Sequence, residues 1–439
     1  MISSTARTQD RDLSAVGREM YAFLADLFPI CRSITGDGLR QTLKMIGARV
    51  PIEVHEVPTG SPALDWSVPN EWNIRDAYIK DGRGRRVVDL RSSNLHVMGY
   101  SRPIRARMRL SELRDHLHTL PDHPDWVPYR TSYYREDWGF CLSDRLLRSL
   151  PDEEYEVCID SVLEPGHLSY GELLVHGETA EEVLISCHVC HPSLANDNLS
   201  GIALATQLAA GLVTTVPRYS YRFLFVPGTI GSLTWLARNE SVVSRIRHGL
   251  TVACVGDPGP MSYKRSRRGD AEIDRAATHV LRHLDGDHRI LEFSPYGYDE
   301  RQYCSPGFDL PVGSLTRTPH GRYAEYHTSA DDLSFVQPEA MGDSLAAYLG
   351  VIEVLEGNRT YLNLSPMGEP NLGRRGLYPS VGGTDADTAQ LAMLWILNQS
   401  DGLHDLLDVA ERSGLPFNVV RGAAESLLEH GLLEEVRPT

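Results

Sequence analysis

The apolar positions of this chain change period along its length. Between residues 13 and 50 they recur every three to four residues, the spacing of one helix face. Arg18-Glu19-Met20-Tyr21-Ala22-Phe23-Leu24 opens one amphipathic helix, and residues 37–46 form a second after the Thr35-Gly36 turn. From 61 to 142 the pattern becomes short alternating runs broken by turn residues, with Trp66, Trp72, Trp126 and Trp138 among them. This predicts a small β-rich module inserted into a larger domain. Beyond it, unbroken apolar runs alternate with helical spacing. Strands are predicted at 180–187, 221–226, 250–255 and 311–315, and helices at 202–212, 232–239, 270–284 and 338–355. Continuous apolar strands between helices imply a mainly parallel sheet covered on both faces.

A Pro- and Gly-rich stretch, 365–383, precedes a different tail. It reads as helix 387–399, helix 403–413, a Gly414-Leu415-Pro416 turn, helix 417–430 and a final 432–436 run, a winged-helix-like pattern. The expected fold class is α/β with a mainly parallel central sheet. The α/β domain takes 1–60 and 143–364, the inserted β-rich domain 61–142, and the winged-helix-like domain 380–439.

Charge narrows the partners. At 439 residues the chain is too long for one small core. A net charge of -16 argues against nucleic acid or an anionic membrane as the main partner. The tail from Ser380 holds ten acidic residues against three arginines, which weighs against DNA binding there. No apolar stretch is long enough to span a bilayer, and Met1 to Arg7 has no apolar signal core behind it, so the cytoplasm is the expected compartment. Seven cysteines without framework spacing fit reduced thiols.

Four predicted strand ends carry metal-ligating groups. His188 follows the 180–187 strand, and Asp197 comes nine residues later, before a helix. Asp257 lies in Val255-Gly256-Asp257-Pro258, and His327 in Glu325-Tyr326-His327-Thr328. Zinc takes imidazole and carboxylate ligands and keeps one position open for catalysis. Singly, each has an ordinary reading: a structural histidine, an N-cap at Asp197, a turn former at Asp257. Their joint order points to a metal.

With these segments the chain resembles the zinc aminopeptidase superfamily of bacterial leucyl aminopeptidases, glutamate carboxypeptidases and glutaminyl cyclases. Within it, the chain resembles a bacterial branch with an inserted β module and a C-terminal winged-helix-like module. The matching pieces include Phe28-Pro29-Ile30-Cys31-Arg32-Ser33-Ile34-Thr35-Gly36, Cys190-His191-Pro192-Ser193, Gly228-Thr229-Ile230-Gly231-Ser232, Tyr263-Lys264-Arg265-Ser266-Arg267-Arg268-Gly269-Asp270 and Tyr326-His327-Thr328-Ser329. The resemblance covers essentially the whole chain and implies an α/β fold of the zinc-aminopeptidase type. It implies that His188, Asp197 and Asp257 match the first zinc's ligands, with Asp197 bridging, and that His327 matches a ligand of the second. It also implies a biosynthetic setting, because members lie near polysaccharide or natural-product genes.

The chain departs from that pattern. The family's His-x-Asp ends here in Cys190, and its Glu-Glu pair falls on Gly228 and Thr229. The usual general base and a second-zinc ligand are therefore missing, which implies one Zn2+ ion. Losing a general base costs about two to four orders of magnitude in rate. Glu325, Glu300 or Asp299 could replace it, the substrate could supply its own, or the site could bind without turnover.

Other residues carry competing readings. Cys187 and Cys190 form a Cys-x-x-Cys without thioredoxin-like context, so buried thiols are the default and a zinc-ligand role for Cys190 the rival. His191 is either structural or part of the site. Lys264, Arg265, Arg267 and Arg268 either clamp an anionic substrate or pair with acidic neighbours. Arg301 and Tyr303 are candidate substrate contacts. Trp126, Tyr129, Tyr133, Tyr134 and Trp138 fit the insert's own core or a ligand platform. The expected function is a zinc-dependent, aminopeptidase-like hydrolase of an amide or peptide-like bond in a small, biosynthetic substrate. Alternatives are a catalytically weak binding or scaffold protein, and a winged-helix regulator. The expected partner is a small-molecule or peptide-like substrate, not nucleic acid or membrane, and a homo-oligomer is left open.

Overall fold

The structure is a computed structural model that describes residues 12–377 and 384–436. Met1 to Arg7, read above for a signal, and residues 378–383 of the Pro- and Gly-rich stretch lie outside the described residues. The chain forms two compact units, one of Asp12–Gly269 with Arg289–Leu345, the other of Asp270–His288 with Ala346–Thr439.

An eight-stranded sheet organises the first unit, in the order Glu53–Pro58, His167–Val175, Ser220–Val226, Glu182–His188, Ile246–Val252, Val312–Thr316, Met261–Lys264, His288–Leu291. The four inner strands from Ser220–Val226 to Val312–Thr316 run parallel. Antiparallel pairing closes both flanks. Every residue of Glu182–His188 and Ser220–Val226 is buried, so these strands carry the continuous apolar runs of a sheet covered on both faces. Glu53–Pro58 escapes the apolar pattern because it is an edge strand that buries only Val57. His188 pairs with Val226, so the carboxyl ends of two inner strands lie side by side.

A four-stranded antiparallel sheet makes up the β-rich part, in the order Arg86–Asp89, Glu71–Lys80, Glu154–Glu164, Ile104–Arg109. Its longest strand, Glu154–Glu164, lies past residue 142, beyond the short helix Asp144–Ser149. Ala77, Ile79 and Val157 from this sheet share one buried cluster with Leu184, Leu224 and Val226 of the large sheet.

In the second unit, helices Thr384–Gln399, Leu406–Ser413 and Phe417–Glu429 accompany a three-stranded sheet, Asp401–Asp405, Thr360–Asn363, Leu433–Glu435. Residues 403–405, expected to be helical, are extended. Asp405 accepts the Asp408 N–H at 2.7 Å and so caps the helix at Leu406. Among the described residues, no helix is long and apolar enough to cross a membrane.

One ion pair ties the helix Asp37–Gly47 to the β-rich sheet. Arg40 reaches both oxygens of Glu71, at 2.6 and 2.7 Å, and Glu71 also accepts the His167 N–H at 2.8 Å. Hydrogen bonds from Arg40 outweigh burial and pull the Glu71 carboxyl down from 4.5 to about 2. A depressed folded-state pKa stabilises the fold fully above about pH 4.5, and that stabilisation is lost as pH falls toward 2. Glu71→Gln should therefore lower unfolding free energy by about 1–3 kcal/mol at pH 7, and the gap to wild type should close at pH 2–3. Urea unfolding at both pH values checks this.

Candidate metal centre

His188 ends an inner strand and aims its Nε2 at Asp197 Oδ1, 2.9 Å away. The other Asp197 oxygen lies 3.0 Å from His327 Nε2. One fully buried carboxylate thus bridges two imidazoles. The His191 ring lies 4.8 Å from that of His188 and 5.1 Å from that of His327, centre to centre. Ligand atoms of His188, His191 and Asp197 all fall within 4.8 Å of one another, a spacing that can hold a metal ion. Burial by itself would raise the Asp197 pKa, but the surrounding histidines outweigh it and hold the carboxyl well below its usual range. Burial lowers His191 to about 3, which leaves the neutral, ligating form of imidazole.

The turn that carries Asp197 is held from several sides. Asp331 accepts the backbone N–H groups of Asn196 at 2.6 Å and of Asp197 at 3.0 Å. The Asn198 amide donates to the carbonyls of His188 at 3.1 Å and Val252 at 2.9 Å, joining two strand ends. The Asp197–Asn198 peptide is cis. Tyr298 donates to Asp197 Oδ1 at 3.2 Å and stacks on His188. Buried Arg32 donates to the His191 carbonyl at 3.2 Å and to the Leu27 carbonyl, fixing the turn after the strand.

Residues from the aromatic-rich stretch hold His327. The Tyr129 N–H donates to the His327 carbonyl and the Ser329 N–H to the Val127 carbonyl, both at 2.8 Å. The Tyr129 ring packs edge-on against both His191 and His327. Tyr133 and Tyr134 line a cavity beside the centre, whereas Trp138 is buried against His116 and Trp126 stacks on His123. The aromatic stretch is therefore partly its own core and partly a wall of the site.

The structure does not bring Asp257 into the cluster. Its Oδ1 accepts from Gly259 N at 2.8 Å and Thr318 Oγ1 at 2.6 Å, and its Oδ2 from Thr318 N and Asn196 Nδ2, both at 3.1 Å. Four donors occupy a carboxylate that then acts on the centre only through Asn196. Glu300 is fully buried and paired with Lys264 at 2.5 Å, so it is not free to serve as a base. Glu325 is half-buried and does not line the cavity. Tyr303 lies in the core with its hydroxyl 2.8 Å from Ser186 Oγ, out of reach of a substrate. Arg265 pairs with Glu292 at 3.6 Å, and Arg267 and Arg268 both pair with Asp309, so the basic run forms a structural network. Cys190 is a buried thiol, pushed up to about 12 by burial, whose sulfur accepts the Gly228 N–H at 3.2 Å.

The cavity, about 830 Å³, is lined by His188, His191 and His327 together with Gly228, Thr229, Asp299 and Arg301. A Cβ at Gly228 would lie 3.7 Å from that of His188, so a side chain at this position would start beside the centre. Asp299 enters from another segment. Its Oδ1 accepts the Thr229 N–H at 2.7 Å and the Ser232 hydroxyl at 3.1 Å. Of the three candidate bases, only Asp299 lines the cavity. Sequence reasoning missed Asp331, Asn198 and Tyr298 as members of the site, and left Tyr129 open between core and ligand platform. The Asp331-Asp332 pair so soon after His327 is the one local signal, and it reads equally as a turn.

Residues 21–358 match the family described as domain of unknown function DUF4910, and residues 359–435 match a winged helix-turn-helix family. A Clostridium acetobutylicum protein with the provisional name polysaccharide biosynthesis protein with aminopeptidase-like domain is 50% identical over 424 residues, 96% of this chain and 98% of its own length. A crystal structure from Clostridium acetobutylicum, provisionally named a peptidase, superposes with a TM-score of 0.94 at 48% identity, covering 98% of this chain and 99% of that one. The zinc aminopeptidase BSAP from Bacillus subtilis gives a TM-score of 0.57 at 10% identity over 77% of this chain and 95% of its own, a likeness of fold alone. With an aminopeptidase-like α/β fold followed by a winged helix, the chain belongs to the DUF4910 family.

Proposed function

We propose that this protein is a zinc-dependent hydrolase of an amide or peptide-like bond in a small biosynthetic substrate, with one ion held by His188, His191 and Asp197 and flanked by His327 on the other Asp197 oxygen. The observation that carries this reading is the convergence of three imidazoles and one buried carboxylate at the wall of a large cavity. The donor set suits zinc, which takes neutral imidazole nitrogen and carboxylate oxygen. Asp197 stays ionised although buried, as a ligand must. The biosynthetic setting draws on the name of the Clostridium acetobutylicum relative.

A zinc ion held there supplies Lewis acidity toward a substrate carbonyl and its attacking water. The remaining work falls to the chain. Asp299 stands in for the glutamate absent at Gly228. Both its donors reach Oδ1, and among the described residues none reaches Oδ2. Oδ2 takes the proton from the attacking water and returns it to the leaving nitrogen as the amide bond breaks. Asp331, Asn198 and Arg32 hold the ligand turns in place, the supporting role that outer partners play around a metal.

Zinc-replete protein should contain about one equivalent of metal by elemental analysis. His188→Ala and His191→Ala should each lose it, while Asp257→Asn should keep it. Loss in Asp257→Asn with retention in His191→Ala would return the ligand role to Asp257. Against a panel of aminoacyl and acyl amides, Asp299→Asn should lower kcat/KM by about 10²–10⁴-fold at unchanged zinc content, while Glu325→Gln stays within about threefold of wild type. Unchanged turnover in Asp299→Asn would remove it as the base.

A further inference from the structure

One cation at the cavity wall has no carboxylate partner among the described residues. Arg301 lines the wall beside Thr229 and Asp299. Among the described residues its one hydrogen bond is from Nη2 to Thr229 Oγ1, at 3.4 Å, and its buried Nε has no partner. The neighbouring acids are otherwise engaged: Glu300 pairs with Lys264, and Asp299 accepts from Thr229 and Ser232. The arginines of the basic run outside the cavity are all paired with carboxylates. Leaving guanidinium donors unsatisfied costs free energy unless a ligand supplies the acceptor.

Another part of the wall is aromatic. Trp66 and Tyr134 meet edge-on with ring centres 5.1 Å apart, and they stay 45% and 50% exposed where they line the cavity. Large aromatic faces left open beside a cavity are contact surface for a flat or ring-bearing ligand. Thr229, whose hydroxyl faces Arg301, holds φ at 63°, a left-handed conformation costly for a β-branched residue.

We infer that the cavity binds an anionic substrate, one that seats a carboxylate or phosphate on Arg301 and lays a ring against Trp66 and Tyr134. The inference rests on the hydrolase reading for the bond cleaved, but the anion seat belongs to Arg301 and not to the metal. The planar guanidinium offers two parallel donors, a geometry matched to either anion.

Hippurate and hippuramide share a ring and an amide and differ only in the carboxylate, so calorimetric titration of both isolates the anion seat. Both should be titrated into zinc-replete and chelator-stripped protein, with phenyl phosphate as a third probe to separate phosphate from carboxylate. The expected result is a preference for hippurate over hippuramide of about 10–100-fold that survives zinc removal. Arg301→Gln should abolish the preference, and Arg301→Lys should retain part of it. Trp66→Ala should weaken both probes alike. A lack of preference in the stripped wild-type protein overturns the inference, as does a preference that persists in Arg301→Gln. Zinc content and amide turnover are measured separately, so a protein that binds hippurate through Arg301 without hydrolysing any amide would refute the hydrolase reading and leave the anion seat standing. If Arg301→Gln fails to unfold cooperatively, a reduced preference in the folded Arg301→Lys variant upholds the anion seat, and an undiminished one overturns it.

Discussion

A carboxylate taken fully out of water costs several kcal/mol unless its surroundings answer the charge. Asp197 is in that position, and His188 and His327 each bring a ring nitrogen within 3.0 Å of one of its oxygens. The backbone around it answers too, since Asp331 grips the N–H groups of Asn196 and Asp197. Remove the carboxylate and two histidines from distant parts of the chain lose their common partner. The edge of the sheet, the turn before the Gly201–Leu212 helix and the His327 loop are all arranged around this one group.

Asp257 lies beyond the end of the inner strand Ile246–Val252 and is saturated by Thr318, Gly259 and Asn196. His191 lies close to His188 and Asp197, placed there by the turn that Arg32 holds. Gly228 leaves room beside His188, and Asp299 arrives from a different segment, anchored to the Thr229 N–H and Ser232 at the start of the following helix. What matters to such chemistry is the atom that reaches the cavity, not the strand that delivers it.

The β-rich part is more than an attachment. Val127 and Tyr129 pair with the loop that carries His327, and Tyr129 packs against two of the three imidazoles. Trp66 and Tyr134 extend the same wall to the exposed side. The Arg40–Glu71 pair fixes the β-rich sheet to the helix Asp37–Gly47. The shape of the cavity therefore depends on a module that contributes none of the clustered histidines or Asp197.

The sequence by itself determined the inner strands, most helices and three of the four groups in the cluster. Strands buried on both faces must be continuously apolar, and His188, Asp197 and His327 lie at such strand ends or in a recognisable motif. Edge strands such as Glu53–Pro58 stayed hidden because only one residue is buried. Only the tertiary structure separates His191, beside His188 and Asp197, from the saturated Asp257, the cavity-lining Asp299 from the paired Glu300, and the cavity-lining Arg301 from the paired Arg265. Each of these choices turns on whether a polar side chain is already satisfied, and the partners that satisfy it come from far away in sequence: Thr318 for Asp257, Lys264 for Glu300, Glu292 for Arg265. Local spacing shows which residues could bind an ion or a substrate, and folding decides which of them remain free to do so.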